Sequence, residues 1–224
     1  MLILAFDTTN STLSVALLEG EKILCQNLIL ESGKQSELLI PEIEKILQEN
    51  KIWYQDLDLI TATKGPGSFT GVRIGLAVAR TLKIATNLPL ILINSLEALA
   101  FKQRSFSGEI FAAIDAQMDE LFIGSFLSQG NQITELTESQ LVKRAEVLDF
   151  LPKQNFLLCG SGKKIISTTL SEKNLPYEIS ADDDIIEASL VGLLALEKFH
   201  SQKDFSKNRD PLYLRGAKIT QRKK

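Results

Sequence analysis

Two aspartates that close apolar runs, Asp7 in MLILAFD and Asp115 in EIFAAID, are the side chains best placed to do chemistry. A carboxylate between a strand and a turn can hold a metal-bound phosphate or activate a water. A phosphotransferase with two related lobes would need a pair of them. The two segments correspond. At an offset of 108 residues Ala5 meets Ala113, Asp7 meets Asp115 and Leu13 meets Leu121, while Val15 faces Ile123 and Leu18 faces Phe126. Yet the first turn, Asp7-Thr8-Thr9-Asn10-Ser11-Thr12, holds no glycine to let a polyphosphate approach the backbone. Side chains would have to replace that cradle. The alternative is that both aspartates accept N–H groups within their own turns.

A second feature, Lys64-Gly65-Pro66-Gly67-Ser68-Phe69-Thr70-Gly71, lies between a predicted strand and a predicted helix, where N–H groups at a helix start can hold an anion. Its glycines are spaced G-x-G-x-x-x-G with no lysine after them, so it matches neither the P-loop nor the dinucleotide turn. Three readings stay open: a phosphate cradle, a turn whose glycines permit close helix packing, and a contact with a partner.

Little else could catalyse. The one histidine, His200, stands near the end of a predicted helix, so neither a histidine metal cluster nor a Ser-His-Asp triad can be assembled on a second one. A residue there is favoured by the helix dipole. Cys25 and Cys159 lack C-x-x-C spacing and read as small core residues of a reducing compartment. The run Asp182, Asp183, Asp184 reads as a solvated loop, since three neighbouring carboxylates do not converge on one ion without a special loop. No metal site and no catalytic residue is assigned.

These candidates need elements to hold them. Leu2 to Asp7, Leu13 to Leu18 and Lys22 to Leu30 predict strands, the first two a hairpin; Ile110 to Asp115 and Leu121 to Leu127 predict a second hairpin. Strand and helix then alternate. The first half has a helix over Glu37 to Asn50, a strand over Leu57 to Thr63, a helix over Val72 to Thr86, a strand over Leu90 to Ile93 and a helix over Leu96 to Lys102. The second half has a helix over Ser139 to Phe150, a strand over Phe156 to Cys159, and helices over Lys163 to Leu170 and Glu187 to Phe199, with a loop from Lys173 to Asp184. The fold class is therefore α/β: a duplicated, two-lobed protein, each lobe a mixed sheet led by an antiparallel hairpin and flanked by helices, with lobes at 1–103 and 104–224.

Two of these helices are greasier than a surface helix requires. Leu38, Leu39, Ile40, Ile43, Ile46 and Leu47 cover roughly 200° of one circumference, twice the usual apolar stripe. In the other, Ile74, Val78, Leu82 and Ala85 form a stripe that would dock on the sheet, while Arg73, Arg80 and Lys83 share the outer face with Leu76, Ala77 and Ile84. Burial under the second lobe and contact with another protein both explain the excess. We expect Leu38, Leu39, Ile40, Ile43, Leu47, Arg73, Leu76, Arg80, Lys83 and Ile84 to bind a partner.

Of 224 residues, 28 are acidic and 25 Lys or Arg, a net charge of −3. Such a surface matches nucleic acid poorly, because phosphate neutralisation dominates that affinity. The basic end from Lys218 to Lys224 reads as a solvated terminus. No uncharged apolar run is long enough to span a bilayer and no secretory leader is visible, so a cytoplasmic protein with no membrane contact is expected.

Taken together, GPGSFTGVRIG after an opening ILAFDTT, with SELLIPEI, DAQMDELF, the GSG of Gly160 to Gly162 and PLYLR at Pro211 to Arg215, resembles the TsaB (YeaZ) family over the whole length. The resemblance implies a degenerate actin-like or Hsp70-like duplication. It further implies a non-catalytic subunit that pairs with TsaD, and with TsaE, in moving threonylcarbamoyl to a tRNA adenosine beside the anticodon, through the two greasy helices; homodimers use the same surface. tRNA would be touched only indirectly. No cofactor is implied, beyond weak nucleotide binding at the partner interface. Gln35 and Gln117 stand where many relatives carry histidine and arginine. The alternative is a small ATP-dependent kinase or hydrolase of actin-like type; a peptidase has no metal-binding histidine pair or based nucleophile to support it.

Overall fold

The computed structural model describes residues 1–31, 33–170, 176–201, 212 and 214. Its first sheet has strands β1 (Leu2–Asp7), β2 (Leu13–Glu19), β3 (Lys22–Ile29), β4 (Leu59–Thr63) and β5 (Leu90–Ile93) in the order β3-β2-β1-β4-β5. The second has β6 (Gly108–Asp115), β7 (Glu120–Gln129), β8 (Gln132–Glu135), β10 (Phe156–Cys159) and β11 (Tyr177–Ile179) in the order β8-β7-β6-β10-β11, with β9 (Gln140–Lys143) also on β7. The two orders correspond strand for strand, hairpin to hairpin. β1 and β6 start each unit, β4 and β10 run parallel to them, and β5 and β11 close it.

The turns between the hairpin strands differ by one residue. Asp7 pairs with Ser14, whereas Asp115 pairs with Leu121, so the offset of 108 holds for β1 and β6 and slips by one across the turn.

Five helices flank the sheets: α1 (Gln35–Glu49), α2 (Phe69–Thr86), α3 (Ser95–Lys102), α4 (Lys163–Leu170) and α5 (Ala188–Ser201). α1 and α2 lie on one face of the first sheet, over Leu4, Phe6, Val15, Leu17, Ile60 and Leu92. Its other face, Ile3, Ala5, Ala16 and Leu18, is covered by α5 through Val191, Leu194 and Ala195. α3 in turn packs on β6, β7 and β8, and touches α5, where Lys198 Nζ pairs with Glu97 Oε1 at 2.7 Å. Each half thus lends its last helix to the other half's sheet. The sheets part between Ile93 and Gly108, but the packing does not divide at residue 103.

Three sequence expectations change. Ser139 to Phe150 is not one helix: Gln140–Lys143 is a strand and Arg144–Phe150 a 3-10 helix. The long β7 is paired by β8 only from Phe126 onward, leaving Glu120 to Ile123 as an open edge that β9 takes. The loop expected from Lys173 to Asp184 contains β11 in its described part. Its aspartates are also not simply solvated. Lys163, with a side chain 7% exposed, reaches Asp184 Oδ1 at 2.8 Å, Asp182 Oδ1 at 3.4 Å and Ser180 Oγ at 3.2 Å. Lys102 reaches Asp183 Oδ1 at 2.8 Å and Glu187 Oε1 at 3.0 Å. Burial works against the Lys102 ammonium, but Asp183 and Glu187 outweigh it and hold it above the usual lysine range; Lys102 in turn draws the Asp183 carboxyl below its ordinary value.

Candidate functional site

A cleft of about 980 Å³ opens between the two sheets. Its walls are the two hairpin turns, Thr9 to Thr12 and Asp115 to Met118, the glycine loop at Gly67 to Phe69, Ser161 and Lys164 at the start of α4, and Asp183 to Ile185. Val72, Ile114, Phe122, Leu212 and Leu214 make its apolar floor. The volume is that of a small-molecule site.

The two related aspartates do not share it. Asp115 lines the cleft, its Oδ1 accepting the Gln117 N–H at 2.8 Å and its Oδ2 the Gln117 Nε2 at 3.1 Å. Asp7 is wholly buried beneath it. Asp7 Oδ1 accepts the Thr63 hydroxyl at 2.5 Å, the Thr9 hydroxyl at 2.6 Å and the Thr9 N–H at 3.2 Å; Ser95 Oγ donates to Thr9 Oγ1 at 3.2 Å. Asp7 Oδ2 has no partner among the described residues. Burial pushes this carboxyl above its usual value, and the threonine hydrogen bonds only partly offset that. A side chain so enclosed accepts hydrogen bonds inside its turn and cannot reach a ligand in the cleft.

The glycine loop closes over the same turn. Gly67, Gly71 and Gly75 recur at every fourth residue and face Thr8 and Thr9. An ideal Cβ would stand 2.4 Å from Thr9 O at position 67, 1.9 Å from Thr8 O at 71 and 2.5 Å from Thr8 Oγ1 at 75. Hydrogen bonds fasten the approach: Ser68 N–H donates to Thr9 O at 2.7 Å, and Thr8 Oγ1 to Gly71 O at 2.7 Å. Ser68 caps α2 by accepting the Gly71 N–H at 3.2 Å. Of the three readings of Gly65, Pro66, Gly67, Ser68, Phe69, Thr70 and Gly71, the geometry favours close packing: the Ser68 and Gly71 N–H groups, which an anion would need, already donate to Thr9 O and Ser68 Oγ. Gln35, buried at the head of α1, donates from Nε2 to Asn10 O at 3.0 Å and ties that helix to the turn as well.

The outer face of α1 and α2 is narrower than the sequence suggests. Leu39, Ile43, Ile46 and Leu47 are between 0% and 3% exposed, packed on the first sheet, and Leu76 is 3% exposed beside Val72 and Ala79. The expectation that Leu39, Ile43, Leu47 and Leu76 contact a partner is corrected: the chain's own sheet takes them, so they offer nothing to a neighbour. The stripe that docks α2 is Val72, Gly75, Leu76 and Ala79, with Ile74, Val78 and Leu82 half-buried at its flank and Ala85 exposed. The second lobe does not cover these helices, since α5 sits on the opposite face. What remains outside is Ile84 at 83%, Ile40 at 51% and Phe69 at 48%, with exposed Arg73 and Arg80 and half-buried Leu38 and Lys83. The Arg73 guanidinium lies 3.7 Å over the Phe69 ring.

Known proteins agree with this architecture. Residues 30–202 match the family model described as TsaD, tRNA N6-adenosine threonylcarbamoyltransferase. Over 155 residues the chain is 33% identical to the tRNA threonylcarbamoyladenosine biosynthesis protein TsaB of Bacillus subtilis, covering 69% of this chain and 68% of that one. The chain belongs to the TsaB family. The solved structure of YeaZ from Pseudomonas aeruginosa superposes with a TM-score of 0.81 at 25% identity, covering 95% of this chain and 99% of that one. The (R)-2-hydroxyglutaryl-CoA dehydratase component A of Acidaminococcus fermentans, at 8% identity, shares the fold alone, with a TM-score of 0.50 over 88% of this chain and 98% of that one.

Within the TsaB fold the sequence had not marked Thr9 and Thr63 as partners of Asp7 or Ser95 as a partner of Thr9, nor Ser161, Lys164, Phe122, Leu212 and Leu214 as lining the cleft. The described residues hold no group of three His, Cys, Asp or Glu able to take a metal, and none of their helices is long and apolar enough to cross a membrane. His200 is exposed in the last turn of α5. Cys159 is buried in the core and Cys25 half-buried against Asn50; burial raises both thiols above their usual range. Lys218 to Lys224 and most of PLYLR lie outside the described residues.

Proposed function

We propose that this chain serves tRNA threonylcarbamoyladenosine biosynthesis in the cytoplasm as a non-catalytic subunit, docking a TsaD-type transferase, with TsaE in the same assembly, through the outer face of α1 and α2. One observation carries the reading: the fold seals Asp7 inside its own turn and leaves Ile84, Ile40 and Phe69 uncovered beside Arg73, Arg80 and Lys83. Enclosing Asp7 takes away one of the two carboxylates that lobe-against-lobe phosphoryl transfer needs. Apolar side chains set among arginines have the composition of an interface core and rim.

Co-purification with a tagged TsaD partner tests this. Ile84→Asp and Ile40→Asp would place an unpaired charge in the contact and reduce recovery of the pair at least tenfold, while the isolated chain melts as before. Unchanged recovery from both variants would refute the assigned face.

The open cleft favours a second reading, an ATP-dependent enzyme of actin-like type, because its volume suits a nucleotide. Calorimetric titration with Mg-ATP separates the two. Micromolar binding by the isolated chain, abolished by Asp115→Ala, would support the enzyme.

A further inference from the structure

What suits the cleft is decided by its charge and by the polar groups that its own fold leaves unused. Phosphate is poorly served. At the start of α4 the Gly160 N–H donates to Asp184 Oδ1, the Gly162 N–H to Ala113 O and the Lys163 N–H to Gly160 O, each at 2.9 Å. This second glycine turn, like the loop before α2, has the amides that would hold an anion already engaged. The charge has the wrong sign as well. Asp115, Asp183 and Asp184 line the cleft against one cation among the described residues, Lys164. Behind them Lys102 and Lys163 are shared among four carboxylates, Asp182, Asp183, Asp184 and Glu187, which leaves that wall negative.

Groups for an uncharged ligand are present on both sides. Asp115 Oδ1 and Oδ2 each accept one hydrogen bond from Gln117 and can each take a second. Ser161 Oγ accepts the Asp115 N–H at 3.1 Å and keeps its own hydrogen to donate. On the facing wall the Ser11 hydroxyl and the Asn10 amide make no hydrogen bond among the described residues. Between the walls, Val72, Ile114 and Phe122 offer an apolar floor for the face of a ring. The rim is itself strained: Gln117, Met118 and Asp119 stand consecutively in the left-handed region, with φ of 61°, 56° and 61°. Side chains seldom adopt that conformation, and it gathers at sites that clamp a ligand.

We infer that the cleft binds a free nucleoside, with its base on the apolar floor and its ribose hydroxyls on Asp115 and Ser161, and that it discriminates against the phosphorylated forms. This goes beyond the docking role and does not rest on it, because none of these groups belongs to the outer face of α1 and α2. The chain is then a ligand-binding subunit with no phosphate to transfer.

Calorimetric titration of the full chain with adenosine, ribose, AMP and Mg-ATP tests this. We expect adenosine to bind with a dissociation constant on the order of 0.1 mM, ordinary for a ligand of its size. AMP and Mg-ATP should bind at least tenfold more weakly, since their phosphates meet like charge within a Debye length. Ribose should also bind at least tenfold more weakly, for want of the apolar contact. Asp115→Asn keeps the shape of the side chain and removes its charge; it should weaken adenosine about tenfold and narrow the gap between adenosine and AMP. A thermal melt of the free variant shows that it is folded. No adenosine binding at about 2 mM, well above the expected constant, would overturn the site. So would AMP or Mg-ATP binding as tightly as adenosine, or a folded Asp115→Asn protein that binds adenosine like wild type. Ile84→Asp, which should lose the TsaD partner, should bind adenosine unchanged; a parallel loss would overturn a site separate from the docking face.

Discussion

Replacing Gly71 by alanine is the sharpest trial of how the first turn and α2 fit together. In an unconstrained helix the change would stabilise by about 1 kcal/mol, because glycine is the poorer helix former. Here the new methyl would begin 1.9 Å from Thr8 O, where ordinary contact starts near 3.4 Å. Helix and turn must separate by about 1.5 Å to restore van der Waals distance. They cannot do so and keep both the Thr8 Oγ1 to Gly71 O and the Ser68 N to Thr9 O hydrogen bonds, each 2.7 Å long. Overpacking costs about 1–3 kcal/mol, and two weakened buried hydrogen bonds add about 1 kcal/mol each. With the helix gain subtracted, the net loss is about 2–4 kcal/mol, and its midpoint corresponds to a fall in Tm of roughly 6–12 °C for a chain of this size. Gly75→Ala should be milder, about 1 kcal/mol, because it meets the Thr8 hydroxyl and no backbone atom, and moving that hydroxyl gives up its one bond to Gly71 O. Urea unfolding and calorimetry measure both. A Gly71→Ala protein within 0.5 kcal/mol of wild type, or a Gly75→Ala protein less stable than it, would refute the packing role.

Three further outcomes follow from the buried groups. Burial raises the Asp7 carboxyl, so the folded state holds its proton more tightly than the unfolded one; this contribution is complete below the unfolded value of 3.8 and is lost as pH rises through the folded value. Wild type should therefore lose stability relative to Asp7→Asn between pH 4 and neutrality, by about 1.4 kcal/mol for each pH unit by which the carboxyl is raised; a difference that is flat or of opposite sign in urea melts contradicts it. Lys163→Met would leave Asp184 and Asp182 without their cation in a mostly enclosed site and should cost about 2–4 kcal/mol, seen as a lowered urea midpoint. Leu76→Asp, at a position 3% exposed, should prevent folding outright rather than spare the monomer, which circular dichroism of the purified variant will decide.

Regular periodicity made much of this fold legible. Leu2 to Asp7, Leu90 to Ile93 and Lys163 to Leu170 occupy the elements expected of them because each is a clean apolar or amphipathic run. Ser139 to Phe150 misled because Val142, Val147, Leu148 and Leu151 fall at nearly helical spacing, while the open β7 edge that recruits Gln140–Lys143 is a tertiary fact. The inner side of α2 was misplaced for a related reason. Counting large apolar residues points to Ile74, Val78 and Leu82, but a helix pressed against a backbone turn shows small residues there. The signal was the four-residue rhythm of Gly67, Gly71, Gly75 and Ala79. Asp7 was legible as a special residue. Its enclosure was not, since Thr63 reaches it only through the sheet, and Ser95, at the start of α3, holds its partner Thr9.

The crossed helices bear on how the protein is made. During synthesis the inner surface formed by Ile3, Ala5, Ala16 and Leu18 emerges early, but Val191, Leu194 and Ala195, which cover it, come roughly 170 residues later. At about 5–20 residues per second a ribosome leaves that sticky surface bare for roughly 9–35 s. The nascent chain is then a natural customer for a holding chaperone, and any product cut short before Ala188 is left with a half it cannot close.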